Sequence, residues 1–443
     1  AFNIDVELTI IITGICVVFI SLVGGSWAVI ASDFIQVLIL MPVTTVATFL
    51  AVAHVGGWTP MVEKLATTSL NFHKVFTDDF LLFWCVAILF KQFLSTNNIA
   101  DASRYLCVKD SRHARKAALL GGVLFLGGIV IWFLPPMAAT ISHPDLAATF
   151  PRLHEPAEGS FFAIAQATFP VGMVGLLVSG IFAATMSSMD SGLNKNAGVF
   201  IKNFYQPILR PLAGERELLT AGKITTLLLG LTVVSVALFY SSIQNLTLFE
   251  LMVKFQILVS LPYVVPMVLG LIIKRTPGWA GWSTVVICFV VSFLTDRFLT
   301  IGWAVQRFGV LDGVSNWERQ NWEQGIGVFT ILGAGLAWFM FTKLFYRFET
   351  PAQQAQIDRF CTNLATPVDY AREEANAAND DRQSWLIGWL CLPYGAAVML
   401  MAFIPNALLG RLAFVFCGGV VALVGGLLVR QARRPAPAAT HLT

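Results

Sequence analysis

The stretch GIFAATMSSMDSGLN, residues 180–194, ends a long apolar segment with a run of serine hydroxyls and one carboxylate. If the stretch is helical, one face carries small and oxygen-bearing residues, namely Ala184, Ser187 and Ser191 along its centre and Ser188 and Asp190 at its edges. Small residues also let membrane helices approach closely, which is the alternative role of the serines. A carboxylate in an apolar span is normally paired or bound to an ion, and hard cations such as Na⁺ prefer oxygen ligands. The stretch therefore predicts a cation site inside a membrane.

The composition of the whole chain also predicts a membrane protein. Of the 443 residues, 56% are hydrophobic and 12% are charged, and apolar runs long enough to cross a bilayer recur along the sequence. We predict an all-α membrane protein with about eleven transmembrane helices. The expected spans are residues 8–23, 34–55, 80–96, 117–141, 171–192, 219–241, 248–273, 279–299, 325–344, 384–404 and 408–429.

The distribution of Lys and Arg predicts how these spans are oriented. Most of the 29 basic residues lie in one of the two alternating sets of loops, and basic loops stay on the cytoplasmic side. This rule predicts a multi-pass protein of the plasma membrane, or of the inner membrane of a bacterium, with a cytoplasmic C-terminus. Because the chain begins outside, at Ala1, without a cleavable signal pattern, we expect that it lacks its first transmembrane helices.

Several functional classes lack the residues that they require. The net charge of +3 is scattered, which argues against nucleic-acid binding. The sequence has no phosphate loop, no nucleophile elbow, and no paired His and carboxylate of the kind a membrane acyltransferase needs. The seven cysteines are odd in number and mostly within apolar segments, as core residues are. We therefore predict no enzyme.

A second stretch, SLVGGSWAVIASDFIQ at residues 21–36, joins the first two expected spans. Gly24 and Gly25 permit a tight turn there, and Asp33 follows at the start of an apolar segment. Taken alone, Asp33 with Ser32 is more typical of an N-terminal helix cap. In combination with the serine face of residues 180–194, a role in cation binding becomes the better interpretation.

These two stretches and a third, NNIADASRYLCVKDSRHARK at residues 97–116, resemble the sodium/solute symporter family, relatives of the sodium-glucose, proline and sialic-acid symporters. The pattern GG-x-x-AV-x-x-(S/T)D-x-x-Q is similar to the start of that family's fifth core helix. The pattern A-x-x-SS-x-x-S-x-x-N is similar to its eighth core helix. The basic loop around Arg104 is similar to the loop between its sixth and seventh. The resemblance covers the chain from about the fourth core helix onward.

The resemblance implies a LeuT-like inverted-repeat transporter fold, with binding sites near the bilayer midplane. It predicts a single transmembrane domain over residues 1–443. In that domain, residues 1–273 are the part of a ten-helix core from about helix 4 to helix 10, and residues 274–443 are additional C-terminal helices. The implied function is symport of a small organic solute by alternating access, with Na⁺ as the coupling ion. The alternative is a membrane sensor or receptor built on the same fold.

Two sets of sodium ligands follow from the resemblance. The main site takes residues of the eighth core helix, namely the backbone carbonyl of Ala184 and the hydroxyls of Ser187 and Ser188. Its other ligands come from the family's first core helix. A second site, found in some members, takes Asp33, Asp190 and Ser191. Because two nearby carboxylates repel each other in a medium of low dielectric constant, we expect Asp33 and Asp190 to share a cation.

Polar side chains in two further spans are candidates for contact with the solute. Lys91 and Lys254 are cations within apolar segments, and either one would attract an anionic or zwitterionic solute if it faced a cavity. Gln256 is a further polar candidate. The alternative is structural: Lys254 pairs with Glu250 one turn earlier, and Lys91 extends its amine toward the membrane surface.

Overall fold

The computed structural model confirms a chain built from membrane-length helices. All regular structure in the described residues is helical, and ten helical segments there are long and apolar enough to cross a bilayer. The remaining expected span, residues 80–96, is helical too, with a shorter apolar part at Leu81–Thr96. The structure describes residues 5–67, 79–97, 105, 108–151, 153, 156–241, 248–300, 302–303, 316–368 and 381–433.

The α-helices are numbered in chain order, and short 3₁₀ or π-helical segments extend several of them. They are α1 (Val6–His54), α2 (Trp58–Thr67), α3 (Asp79–Thr96), α4 (Ser111–Ser142), α5 (Leu146–Thr149), α6 (Ser160–Thr168), α7 (Met173–Phe200), α8 (Glu215–Ser241), α9 (Leu248–Phe255), α10 (Leu261–Ile272), α11 (Ala280–Phe298), α12 (Asn316–Thr342), α13 (Pro351–Ala365), α14 (Asp381–Leu400) and α15 (Leu408–Ala432).

Residues 300–324 and 346–383 have the polar composition typical of loops between spans, yet both segments contain helix. Helix α13 lies within residues 346–383, and α12 begins at Asn316, inside the insertion at residues 300–324. A capping box starts α13: the Gln353 N–H donates to the Thr350 hydroxyl, and the Gln353 side chain accepts from the Thr350 N–H. These local signals initiate a helix even where no apolar core is available.

The helices form two compact units, each with its own apolar core. Unit 1 comprises Ala1–Leu65, Val123–Asn245 and Asn379–Thr443, and unit 2 comprises Ala66–Gly122 and Leu246–Ala378. One core cluster of unit 1 contains Val43, Ala165, Met173, Leu177, Val398, Ala413, Phe414 and Cys417. The core cluster of unit 2 contains Ala87, Val253, Ile257, Leu261, Val265, Cys288, Val328 and Ile331. The single transmembrane domain over residues 1–443 stays a prediction.

Within unit 1, α1 packs against both α7 and α8. Glycines bring the helices close: a Cβ added to Gly180 of α7 would lie 3.0 Å from Leu40 Cδ1 of α1, and Gly230 of α8 leaves room for Val18 of α1. Close approach at small residues is how membrane helices gain packing without a hydrophobic driving force. The contact brings the two quoted stretches of sequence together.

Gly25 divides α1 into two membrane-length segments, Val6–Gly25 and Val29–His54. Its φ of 59° and ψ of −177° lie in a region that essentially only glycine adopts. No atom lies within 4 Å of the position that a Cβ would take, so the backbone conformation alone requires glycine. A kink at Gly25 therefore lies where the sequence predicted a tight turn at Gly24 and Gly25.

Replacing Gly25 by alanine is expected to destabilise the protein by about 1–3 kcal/mol, because a Cβ disfavours this backbone conformation. Gly175→Ala in α7 is the matched control, since that glycine also has no atom within 4 Å of the Cβ position and lies in regular helix, where alanine is preferred. Thermal unfolding of the purified protein in detergent measures both variants. Equal midpoints of thermal unfolding for Gly25→Ala and the wild type would contradict the requirement for glycine at this position.

Candidate functional site

Asp190 lies buried in the contact between α1 and α7, with 4% of its surface exposed. The hydroxyl of Ser21, which is 3% exposed, donates a hydrogen bond from α1 to Asp190 Oδ1. One turn further along α7, Asn194 Nδ2 donates to the same oxygen at 2.9 Å and to the Asp190 carbonyl at 3.1 Å. These donors offset part of the cost of taking the carboxylate out of water.

Asp33 reaches α7 from the second segment of α1. The Ser191 hydroxyl donates to Asp33 Oδ2 at 3.3 Å. The other carboxylate oxygen, Oδ1, is buried without a hydrogen-bond partner, and so is Oε1 of Gln36 one turn later. Two buried acceptors on one helix face create negative potential with no donor to offset it, and such groups are costly to leave unsatisfied. The arrangement fits a positively charged guest.

Six residues together make what we call the α1–α7 polar cluster. They are Ser21, Asp33, Gln36, Asp190, Ser191 and Asn194. No group of three or more His, Cys, Asp and Glu side chains suited to a metal occurs in the described part of the chain. Because the cluster offers two carboxylates with hydroxyl and amide oxygens, its chemistry favours a hard cation over a soft transition metal.

The helix-cap interpretation of Asp33 is wrong. Asp33 lies inside the segment Val29–His54, beyond the first N–H groups that a cap would satisfy. Ser32 does not cap the helix either, since its hydroxyl donates to the Val29 carbonyl at 2.9 Å. The helical segment begins earlier than the sequence pattern indicates, which leaves the Asp33 carboxylate available to α7.

The residues expected at the main sodium site lie on α7 before the polar cluster. Ser188 is exposed, and its hydroxyl donates to the Ala184 carbonyl at 3.3 Å, while Ala184 and Ser187 are half-buried. The Ser188 hydroxyl and the Ala184 carbonyl thus lie next to each other on α7, and their assignment to the main sodium site stays a prediction.

Three members of the polar cluster were not among the predicted ligands. Ser21, Gln36 and Asn194 all lie in the two quoted stretches, but spacing along one helix does not show which side chains face a neighbouring helix. Ser21 precedes the kink at Gly25 and Asp33 follows it. Their alignment toward α7 therefore depends on the kink, whose direction the sequence does not reveal.

Lys254, one of the solute candidates, forms an ion pair in unit 2. Its Nζ lies 3.1 Å from Asp296 Oδ1, and both side chains are about half exposed. Glu250, the partner that the structural alternative proposes for Lys254, accepts at Oε1 from Gln320 Nε2 at 2.6 Å. Lys254 thus has a partner on another helix, and its pairing with Glu250 stays a prediction.

Lys91 and Gln256, the other two solute candidates, contact each other in unit 2. The Lys91 ammonium donates to Gln256 Oε1, and Lys91 is 3% exposed. The expectation that Lys91 extends to the membrane surface is therefore wrong. The structure brings together two polar residues that lie far apart in the sequence.

Comparison with known proteins decides the family. Residues 1–279 match the sequence model of the Sodium:solute symporter family. The chain belongs to this family. Its members are transporters rather than enzymes, and the membership agrees with the two quoted stretches. In the third stretch, residues 98–104, which include Arg104, and residues 106–107 lie outside the described residues.

Three relatives illustrate the extent of the match. Sodium/glucose cotransporter 4 of Danio rerio is 27% identical over 51% of this chain and 38% of its own length. The osmoregulated proline transporter of Bacillus subtilis (strain 168) is 24% identical over 54% of this chain and 47% of its own length. The Escherichia coli (strain K12) sodium/proline symporter is 25% identical over 48% of this chain and 43% of its own length. The chain thus spans less than half of each of these relatives.

A solved structure confirms the LeuT-like fold. A Na⁺-coupled sialic acid symporter, described in a substrate-bound outward-open state with a novel Na⁺ site, superposes with a TM-score of 0.55. The two sequences are 18% identical, and the match covers 79% of this chain and 68% of the other. The predicted membrane transporter architecture is therefore correct.

Removing the Ser21 hydroxyl is expected to destabilise the protein by about 1–3 kcal/mol, because a buried carboxylate loses a donor. Ser235→Ala in α8 is the control: that hydroxyl donates only within its own helix, to the Leu231 carbonyl at 2.9 Å, and its loss is expected to change stability by less than about 0.5 kcal/mol. Thermal unfolding in detergent measures both.

A double-mutant cycle tests whether Ser21 stabilises the protein by its hydrogen bond to Asp190. In the Asp190→Asn background, Ser21→Ala is expected to destabilise the protein less than in the wild type, because the charged acceptor is gone. Equal losses of stability in the two backgrounds would show that Ser21 acts independently of Asp190.

Proposed function

We propose that this protein carries a small organic solute across a membrane together with sodium, by alternating access. The observation that supports this function best is the α1–α7 polar cluster, in which Asp33 Oδ1 and Gln36 Oε1 are buried acceptors without a donor. Family membership supports the same function, since relatives are named as symporters of sodium with sugars or proline. The binding groups lie on helices that cross the bilayer, where transporters of this fold hold ions and solutes.

The second sodium site takes Asp33, Asp190 and Ser191. Ser191 uses its proton in the bond to Asp33, so its oxygen lone pairs remain available to an ion. Asp33 contributes the free Oδ1. A monovalent cation at this position offsets the repulsion between two carboxylates in a medium of low dielectric constant. Asp190, held by Ser21 and Asn194, supplies charge from a fixed position.

The main sodium site takes the Ala184 carbonyl with Ser187 and Ser188. Ser188 also uses its proton within the helix, in the bond to the Ala184 carbonyl, which leaves its lone pairs for an ion. These groups are neutral, so the sodium affinity of this site depends on further oxygen ligands.

For the whole protein, we propose location in the plasma membrane with a cytoplasmic C-terminus, on the basis of the basic loops.

The coupling of sodium binding to the conformational cycle follows from the helices that a bound ion would connect. Ligands on both α1 and α7 mean that a bound sodium ion stabilises the conformation in which these helices touch at the cluster. Loss of the ion removes that stabilisation, and the population shifts toward conformations with a different α1–α7 contact. An inward sodium gradient then biases the cycle toward uptake.

Solute uptake tests the function directly. Proteoliposomes with an inward sodium gradient are given the low-molecular-weight fraction of yeast extract, and accumulated compounds are identified by mass spectrometry. We expect accumulation that requires the sodium gradient. Sodium-dependent stabilisation of the protein without any accumulation would favour the sensor built on the same fold.

The two sodium sites are expected to respond differently to substitution. Asp33→Asn should raise the sodium concentration for half-maximal uptake by about tenfold or more and lower the Hill coefficient toward one, because a charged ligand of one site is lost. Ser188→Ala should raise the sodium concentration for half-maximal uptake because it weakens the main site, while the second site still binds sodium. Initial uptake rates as a function of sodium concentration measure both parameters.

Thr185→Ala is the control for these variants, since the Thr185 hydroxyl donates within α7 to the Ile181 carbonyl at 3.0 Å. We expect wild-type sodium dependence for it. A Hill coefficient of one in the wild type, or an unchanged sodium dependence in Asp33→Asn, would remove the second site from the proposal.

A further inference from the structure

Lys91 lies within the apolar core of unit 2. Its neighbours one turn away on α3 are Ala87, which is fully buried, and Leu94, which packs on the same core cluster. Across from α3, the core includes Val253 and Ile257, which flank Gln256 on either side. The ammonium group is therefore held in surroundings from which water is largely excluded, where an uncompensated charge is costly.

The protein partner of Lys91 is neutral. Its ammonium donates to Gln256 Oε1, and no carboxylate of the described residues forms an ion pair with it. Lys254 shows the contrast, because that cation has Asp296 at 3.1 Å. Of Lys91 and Lys254, the more exposed lysine has a carboxylate partner and the buried lysine has a neutral one.

Gln256 occupies an irregular position in its span. A π-helical segment, Gln256–Ser260, separates α9 from α10 and starts at this residue. Such segments are rare and frequently mark functional sites within helices. The bond to Lys91 uses the Gln256 carbonyl oxygen, so its amide NH₂ is a second donor near the ammonium, which has N–H groups of its own to spare.

We infer that Lys91, with Gln256 beside it, binds an anionic group of the transported solute, so that the solute carries a carboxylate or an equivalent anion. This inference rests on the proposed function. A carboxylate has two oxygens, one for the Lys91 ammonium and one for the Gln256 amide, and its charge neutralises the buried cation. Lys91 is 3% exposed and Gln256 is half-buried, so the solute reaches the ammonium in another conformation of the alternating-access cycle.

A structural role is the alternative, in which Lys91 only joins α3 to the π-helical segment. The two roles differ in their effect on stability. If Lys91 serves binding, Lys91→Met removes a buried charge without a counter-ion and leaves the thermal midpoint unchanged or higher. If Lys91 serves structure, the same substitution lowers the midpoint.

The experiment identifies what sodium-driven proteoliposomes accumulate from the low-molecular-weight fraction of yeast extract, which contains carboxylic acids, amino acids, sugars and polyols. Accumulated compounds are expected to carry an anionic group. Lys91→Met is expected to reduce their accumulation at least about tenfold, the effect of losing a hydrogen bond to a charged group. Lys91→Arg keeps the charge and should retain part of the activity. Gln92→Met, at the exposed neighbouring position of α3, should behave as the wild type.

Each other outcome has a definite meaning. Accumulation of neutral compounds, or undiminished accumulation by Lys91→Met, overturns the inference and leaves sodium symport standing. Loss of accumulation together with a lowered thermal midpoint in Lys91→Met also overturns it, in favour of the structural role. Absence of sodium-driven accumulation by the wild type contradicts the proposed function, and the inference with it.

Discussion

The hydrogen bonding of Asp190 is the constraint on which the α1–α7 contact depends. A carboxylate that is 4% exposed inside a membrane-length helix must find its donors within the protein, because lipid supplies none. Asn194 provides one from the same helix, and Ser21 provides another from α1. The Ser21 bond fixes the position of the first segment of α1 along α7. The fold can then place Asp33, on the second segment, at a defined point beside Ser191.

The kink at Gly25 allows both segments of α1 to contact α7, the first through Ser21 and the second through Asp33. Without a glycine at a positive φ, the two segments of α1 would form one straight helix, and Ser21 and Asp33 would be unable to adjust independently to α7. The serine-rich face of α7 offers small surface for close packing. In the same contact, the Ser191 hydroxyl donates to Asp33 across the two helices, so close packing and polar contact occur together.

The sequence was sufficient to predict features that arise from local pattern. Apolar length predicted the spans, the glycine pair predicted the interruption at Gly25, and the stretches containing Asp33 and Ser191 were correctly expected to meet. The sequence did not predict side-chain partners that depend on how each helix is rotated about its own axis. For Lys254 the sequence suggested only Glu250, one turn away, as a structural partner, whereas the ion pair with Asp296 involves another helix. Gln256 and Lys91 likewise meet only through the packing of α3 on the core of unit 2.

Equilibrium binding of radioactive sodium to the purified protein tests the central claim most directly, namely that the α1–α7 polar cluster holds a sodium ion. It requires no knowledge of the solute, and it separates ion binding from the later steps of transport. The account predicts that the wild type binds sodium in preference to potassium and that Asp33→Asn binds one ion fewer per chain. The same number of bound ions in the wild type and in Asp33→Asn would contradict it.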